Sequence, residues 1–214
     1  MEEEMGFLSD SDRDRLIVAV AGLCAERGYE EIEDDEIAAR AGLAAGATVA
    51  IFGGKEECVK AAENAILLEV VSVVSRSYSA DRSEWDNVVL GVRALLELMA
   101  QQPTFAYLGY VVSRQMAPDA VLEINRTGHR MIEAMLERGW EYSRSGPQPP
   151  RVALGILGGA QAIIRREVTA GRAAELPRLL PDCTYIATVP FLGQREALRL
   201  ARESAELLQG TRWA

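Results

Sequence analysis

Residues 37–55 read IAARAGLAAGATVAIFGGK. Ile37 to Ala41 predict a short helix in which Ala38, Ala39 and Ala41 are small enough for a second helix to cross closely. Gly42 supplies the positive φ that ends it. Leu43 returns to the core, and a second helix is predicted from about Ala45 to Phe52. Gly53 and Gly54 stop that helix, and Lys55, Glu56 and Glu57 open the next one with acid in its first turn. Two short helices joined by a Gly-containing turn have the helix-turn-helix layout, whose second helix would lie in the major groove of DNA. An ordinary helical hairpin shares this layout and is the commoner arrangement.

Outward from this stretch the apolar period is helical nearly throughout. Leu16, Val20, Leu23 and Cys24 form the inner stripe of a first helix, capped by Asp12 or Asp10 and stopped by Gly28. Val59, Ala62, Ile66, Val70, Val73 and Val74 describe a long helix over about 55–78, a strut from head to body. Further helices are predicted over about 84–101, 103–115, 118–143, 149–171, 176–189 and 194–209. Prolines 103, 118, 177, 181 and 190, Gly171, Gly193 and the Pro-rich loop 145–150 mark their ends. The expected fold is all-α, with a three-helix head over residues 1–54 and a larger helical body over 55–214.

The stretch Arg15 to Cys58 (RLIVAVAGLCAERGYEEIEDDEIAARAGLAAGATVAIFGGKEEC) resembles the N-terminal domain of the TetR family of bacterial transcriptional regulators. The matching pieces are Ala25-Glu26-Arg27-Gly28-Tyr29, Ile37-Ala38, Ala41-Gly42-Leu43, Gly46, Phe52 and Lys55-Glu56-Glu57, with Pro190 to Gly193 (PFLG) agreeing near the end of the body. The resemblance implies a dimeric, ligand-responsive regulator that binds double-stranded DNA and is released by a small apolar or amphipathic ligand. It places DNA contacts at Ala44, Ala45, Thr48, Val49 and Lys55. Family members carry hydroxyl, basic and aromatic residues there, whereas this chain has Ala44, Ala45, Ala47, Val49, Ala50 and Ile51. Only Thr48 keeps a hydroxyl and only Lys55 a positive charge.

The charge distribution bears on the same region. The first 60 residues hold 15 acidic against 6 basic residues and the rest hold 17 of each, so the formal net charge of −9 sits on the head. Affinity for nucleic acid comes from neutralising phosphates, and a reader normally shows a basic patch. Here residues 30–36 place six carboxylates in seven positions. A family member that has lost DNA binding, and serves as a ligand-binding or protein-interaction module, is therefore the alternative.

In the body, Leu67, Val71, Phe105, Tyr107, Tyr110, Met131, Met135 and Trp140 offer apolar surface for a ligand, and Arg114, His129 and Gln161 offer polar handles. Each aromatic could equally be plain core. The helix over 152–168 is apolar on more than one side, which predicts a two-fold homodimer through Val152, Ile156, Gly159 and Ile163 with Tyr185, Ile186 and Val189, a central buried helix in a monomer being the alternative. Gly155, Gly158, Gly159 and Ala160 would let a neighbour approach closely. No catalytic residue is assigned, since the only histidine is His129, no phosphate loop survives at Gly54-Lys55, and no nucleophile elbow exists. No metal or cofactor is expected. Cys24, Cys58 and Cys183 are spaced as buried reduced thiols. No run approaches the ~18 apolar residues of a membrane span, so a cytoplasmic protein without a membrane partner is expected.

Overall fold

The computed structural model describes residues 10–114, 149 and 151–208, the side chain of Arg114 excepted. Among these residues every regular element is a helix. In chain order they are α1 (Asp12–Arg27), α2 (Asp34–Arg40), α3 (Ala47–Phe52), α4 (Lys55–Ser77), α5 (Glu84–Gln101) and α6 (Pro103–Tyr110). A 3₁₀ turn at Val112–Arg114 follows; later come α7 (Val152–Thr169), a 3₁₀ segment (Ala173–Leu179) and α8 (Leu180–Leu208). The protein is all-α, with three short N-terminal helices preceding a larger helical part.

The start of α1 corrects the expected cap. Ser11, rather than Asp12 or Asp10, accepts the Asp14 N–H at 3.2 Å and donates its hydroxyl to the Asp14 carboxylate at 2.8 Å. Asp12 already lies inside the first turn, where its charge suits the helix dipole. Near the other end of the chain, two helices meet at a kink at Gly193, as expected for 176–189 and 194–209, but the first of them begins later and runs further than expected. Pro177 lies inside the 3₁₀ segment, and α8 starts only at Leu180, with Pro181 near its beginning, where a missing N–H costs nothing. α8 continues past Pro190 and bends at Gly193, whose φ of 75° interrupts the helix. The helix predicted over 103–115 ends at Tyr110 before a 3₁₀ turn, and the one predicted over 118–143 falls outside the described residues.

The chain divides into two compact units, and α4 contributes residues up to Glu69 to the first and from Val70 to the second. In the first, α1 packs on α2 and α6, and α2 packs on α3. Leu16, Val20 and Cys24 of α1, Ile37 and Ala38 of α2, Cys58, Val59 and Ala62 of α4 and Phe105 and Leu108 of α6 are fully buried. Each large side chain among them contributes roughly 1.5–3 kcal/mol of apolar burial. In the second unit α7 packs on α8 and on the 3₁₀ segment before it. Its core holds Ala153, Ile156, Ala187 and Phe191, with Trp85 packed against them at 5.6 Å between the Trp85 and Phe191 ring centroids.

Candidate nucleic-acid interface

The helix-turn-helix is closed by contacts that the sequence only half announces. Gly42 has φ 69°, and the Leu43 N–H returns to the Ala38 carbonyl at 2.9 Å. The guanidinium of Arg15 donates to the Ala41 carbonyl from Nε at 3.0 Å and from Nη2 at 2.5 Å, and to the Gly42 carbonyl at 3.1 Å. It thereby satisfies carbonyls that the end of α2 leaves open. Nothing in the motif pointed to Arg15, because the contact crosses from α1. At the start of α2, the Glu36 carboxylate accepts the Glu33 N–H at 2.9 Å and two Arg27 N–H groups at 3.1 and 2.6 Å. The Arg27 guanidinium holds the Glu36 carboxyl below its ordinary range.

α3 has only six residues, four of them β-branched or aromatic (Thr48, Val49, Ile51 and Phe52), and could not persist alone. It is fixed from outside. The Thr48 hydroxyl donates to the Asp34 carbonyl at 2.8 Å, and the Asp35 carboxylate accepts the Gly46 N–H at 2.8 Å. Glycines at both ends, Gly46 at φ 82° and Gly53 at φ 90°, let the chain enter and leave in left-handed conformations.

Two of the expected DNA contacts have partners within the chain. Thr48 is completely buried and its hydroxyl is used to hold α3 on α2, so it presents nothing outward. Lys55 donates to the carbonyls of Tyr29 at 3.2 Å and Ile32 at 2.7 Å, and its ammonium lies 4.7 Å from the Tyr29 ring centroid. It ties α4 to the loop before α2. Ala44, Ala45 and Val49 are exposed, as a reading surface requires, but carry no donor or acceptor on their side chains.

The remaining cations of the first 60 residues are also engaged. Arg13 lies 4.5 Å over the Phe52 ring, Arg40 pairs with Glu26, and Lys60 pairs with Glu56 at 2.9 Å and Glu57 at 2.7 Å. Together with Arg15, Arg27 and Lys55, these are all six basic residues of the first 60. Exposed ion pairs are individually weak, about 0–1 kcal/mol, and can open. Moving Arg27, Arg40 or Lys60 to a phosphate nevertheless uncovers a carboxylate beside the DNA, with no gain in net charge.

What α3 does present is apolar. Val49 is 51% and Ile51 38% exposed, and Ala44, Ala45 and Ala50 are exposed around them. Leaving the two large side chains in water forgoes about 1–2 kcal/mol of burial each.

No family model matches the sequence, and no curated protein matches it. Solved structures do. The fatty acid degradation regulator FadR from Bacillus halodurans superposes with a TM-score of 0.74 at 18% identity, over 86% of this chain and 96% of that one. FadR from Bacillus subtilis, solved in complex with stearoyl-CoA, gives 0.72 at 17% identity, over 85% and 99%. A tetR-family regulatory protein from Rhodococcus RHA1 gives 0.58 at 18% identity, over 94% and 96%. The fold is that of TetR-family regulators.

The expected ligand residues are distributed as follows. Phe105 is fully buried in the core of the first unit, a packing position rather than an open wall. Leu67, Tyr107 and Tyr110 of that unit are half-buried, as are Val71 and Gln161 of the second. Arg114 ends the 3₁₀ turn after α6. His129, Met131, Met135 and Trp140 lie outside the described residues. A small cleft between α5 and α8, lined by Val89, Leu90, Leu200, Ser204 and Leu207 with Asp86 and Glu203 at its edge, contains none of the expected residues.

The expected dimer residues divide in a similar way. Ile156 belongs to the chain's own core, where Val152 and Ile186 pack against it, and a Cβ at Gly159 would stand 3.5 Å from Ile186. Ile163, Tyr185 and Val189 are half-buried. The residues of α7 that remain exposed are Leu154, Gly155, Gly158, Ala162, Arg166 and Thr169. Leu154, Gly158 and Ala162 share the i, i+4 spacing of one helix face, a signal the sequence contained.

Among the described residues no group of three or more His, Cys, Asp or Glu side chains could hold a metal ion, and no helix is long and apolar enough to cross a membrane. Cys24, Cys58 and Cys183 are free and buried, and burial pushes each thiol up to about 12, so none is a thiolate near neutral pH. Glu63 on α4 is 5% exposed, and one of its carboxylate oxygens has no hydrogen-bond partner among the described residues. Burial pushes its carboxyl up to about 7 against the opposing charge of Lys60.

Proposed function

We propose that this chain is a ligand-responsive regulator of transcription that works as a homodimer in the cytoplasm. Its head, residues 1–54, addresses double-stranded DNA, and its body, residues 55–214, binds a small apolar or amphipathic ligand and forms the dimer. The observation that carries this proposal is the bend at Gly42, which sets α2 and α3 as separate short helices and leaves Ala44, Ala45 and Val49 on an open face. The FadR structure that holds stearoyl-CoA supports an amphipathic ligand of that kind. Ligand entering each body would change the spacing of the two heads, which a pair of half-sites about one helical turn apart does not tolerate.

A second function for the head is favoured by one specific observation. All six cations of the first 60 residues have internal partners, while Glu30, Glu31, Glu33 and Asp35 are exposed. Such a head acts on a protein instead of DNA, with the same dimer and the same ligand response. Purified protein incubated with fragmented genomic DNA at low salt, then recovered and sequenced, separates the two. Discrete enriched sites support the DNA-binding regulator. Absence of any salt-dependent retention supports the protein-directed head. Thermal shift with stearoyl-CoA as probe tests the ligand class in either case.

A further inference from the structure

The geometry points to the outer face of α3 as a docking surface for a cationic amphipathic helix of another protein. The inference rests on the protein-directed function of the head. Its centre is the apolar ridge of Val49 and Ile51, with Ala44, Ala45 and Ala50 beside it. The head that carries it is acidic, with 15 acidic against 6 basic residues in the first 60. The Asp35 carboxylate holds the Gly46 N–H at the start of α3, and Glu56 and Glu57, which share the Lys60 ammonium, follow Phe52 by a few residues on the first turn of α4. Arg13, which covers the Phe52 ring, is flanked on α1 by Asp12 and Asp14.

Charge selects the occupant. Duplex DNA and anionic lipid have the same sign as this head, and a second copy of the head would bring its own excess of carboxylates against it. A helix with leucine-like residues on one stripe and lysine or arginine flanking it meets both features at once. Its apolar stripe covers Val49 and Ile51, and its cations reach the exposed carboxylates. Regions of proteins that bind nucleic acid have this composition, so the partner class is consistent with a regulator that acts through another DNA-binding protein.

The test uses the full-length protein and two labelled peptides of about 18 residues, each with leucine at helical spacing and either lysine or glutamate elsewhere. Fluorescence anisotropy is read with wild type and with a Val49→Lys/Ile51→Lys variant, whose fold is checked by far-UV circular dichroism. A Val49→Ser/Ile51→Ser variant provides the uncharged control. The expected result is that wild type binds the lysine peptide at least tenfold more tightly than the glutamate peptide. Added salt weakens that binding, the lysine variant loses it, and the serine variant weakens it several-fold. Equal binding of the lysine peptide to wild type and both variants, or no binding to wild type, overturns the proposal. A duplex arm in the same assay keeps the two failures apart: retention of DNA by wild type removes the protein-directed function, whereas absence of both DNA and peptide binding removes only the docking surface.

Discussion

The Thr48 hydroxyl donates to the carbonyl of Asp34 at 2.8 Å from a fully buried position. With the Asp35 carboxylate on the Gly46 N–H, this contact fixes α3 on α2, and it takes the hydroxyl of the short helix away from its outer face. Thr48→Val keeps the shape and removes the donor, so it should cost about 1 kcal/mol of stability, the worth of one buried hydrogen bond. Equilibrium urea unfolding measures this. A Thr48→Val protein of unchanged stability but altered retention on duplex DNA would return the hydroxyl to the reading surface.

Gly42 should tolerate no side chain. Its φ is 69°, and a Cβ there would stand 3.0 Å from Nη2 of Arg15, the group that holds the Ala41 and Gly42 carbonyls. Gly42→Ala combines left-handed strain with displacement of that guanidinium, for a loss of about 1–3 kcal/mol. Gly22→Ala, inside α1 with open space around its Cβ position, should instead be neutral or stabilising by up to about 1 kcal/mol. Thermal unfolding of the two variants side by side checks the contrast, and equal effects would deny Gly42 its special backbone.

Glu63 makes stability depend on pH in a defined direction. Its carboxyl is raised by burial to about 7, so the folded state holds a proton that the unfolded chain releases near its ordinary value of 4.5. The stability it supplies by staying protonated is fully present below that ordinary value and is lost as pH rises toward 7. The full change is on the order of 3 kcal/mol. Glu63→Gln should therefore be closest to wild type in acid and more stable than wild type at pH about 8. Urea titrations across that range would count against a buried, unpaired carboxyl if the difference between the two proteins stayed constant.

The helical layout was legible in the sequence because its signals are local. Gly28, Gly42 and Gly53 end helices where positive φ is needed, and Pro103 opens α6. The inner stripe of Leu16, Val20, Leu23 and Cys24 follows the helical period and is buried. The destinations of side chains were harder to read, because they depend on contacts between elements. Thr48 and Lys55 matched outward-facing family positions, yet one is buried under α2 and the other holds the Tyr29 and Ile32 carbonyls. The acidic run 30–36 could be read only as surface charge, although Glu36 and Asp35 are tied to Arg27, Glu33 and Gly46. The start of α8 at Leu180 depends on how Pro177 is absorbed into a 3₁₀ segment, which the period alone does not reveal.

The outer face of α7 provides the final prediction. Ile156 is in the chain's own core, so its truncation would damage folding and report little about association. Leu154 is 48% exposed, and Gly155, Gly158 and Ala162 lie on the same side with no large side chain between them. A shallow face of small residues beside one leucine suits close approach of the same helix from a second copy across a two-fold axis. Leu154→Glu would place a carboxylate in that contact twice, once from each copy, while remaining in water in the monomer. Its monomer should fold as well as wild type, with helix content and unfolding midpoint at low protein concentration unchanged. Sedimentation equilibrium should give a dimer for wild type and a dissociation constant at least tenfold higher for Leu154→Glu. An unaltered dimer in the variant would move the two-fold contact off this face of α7.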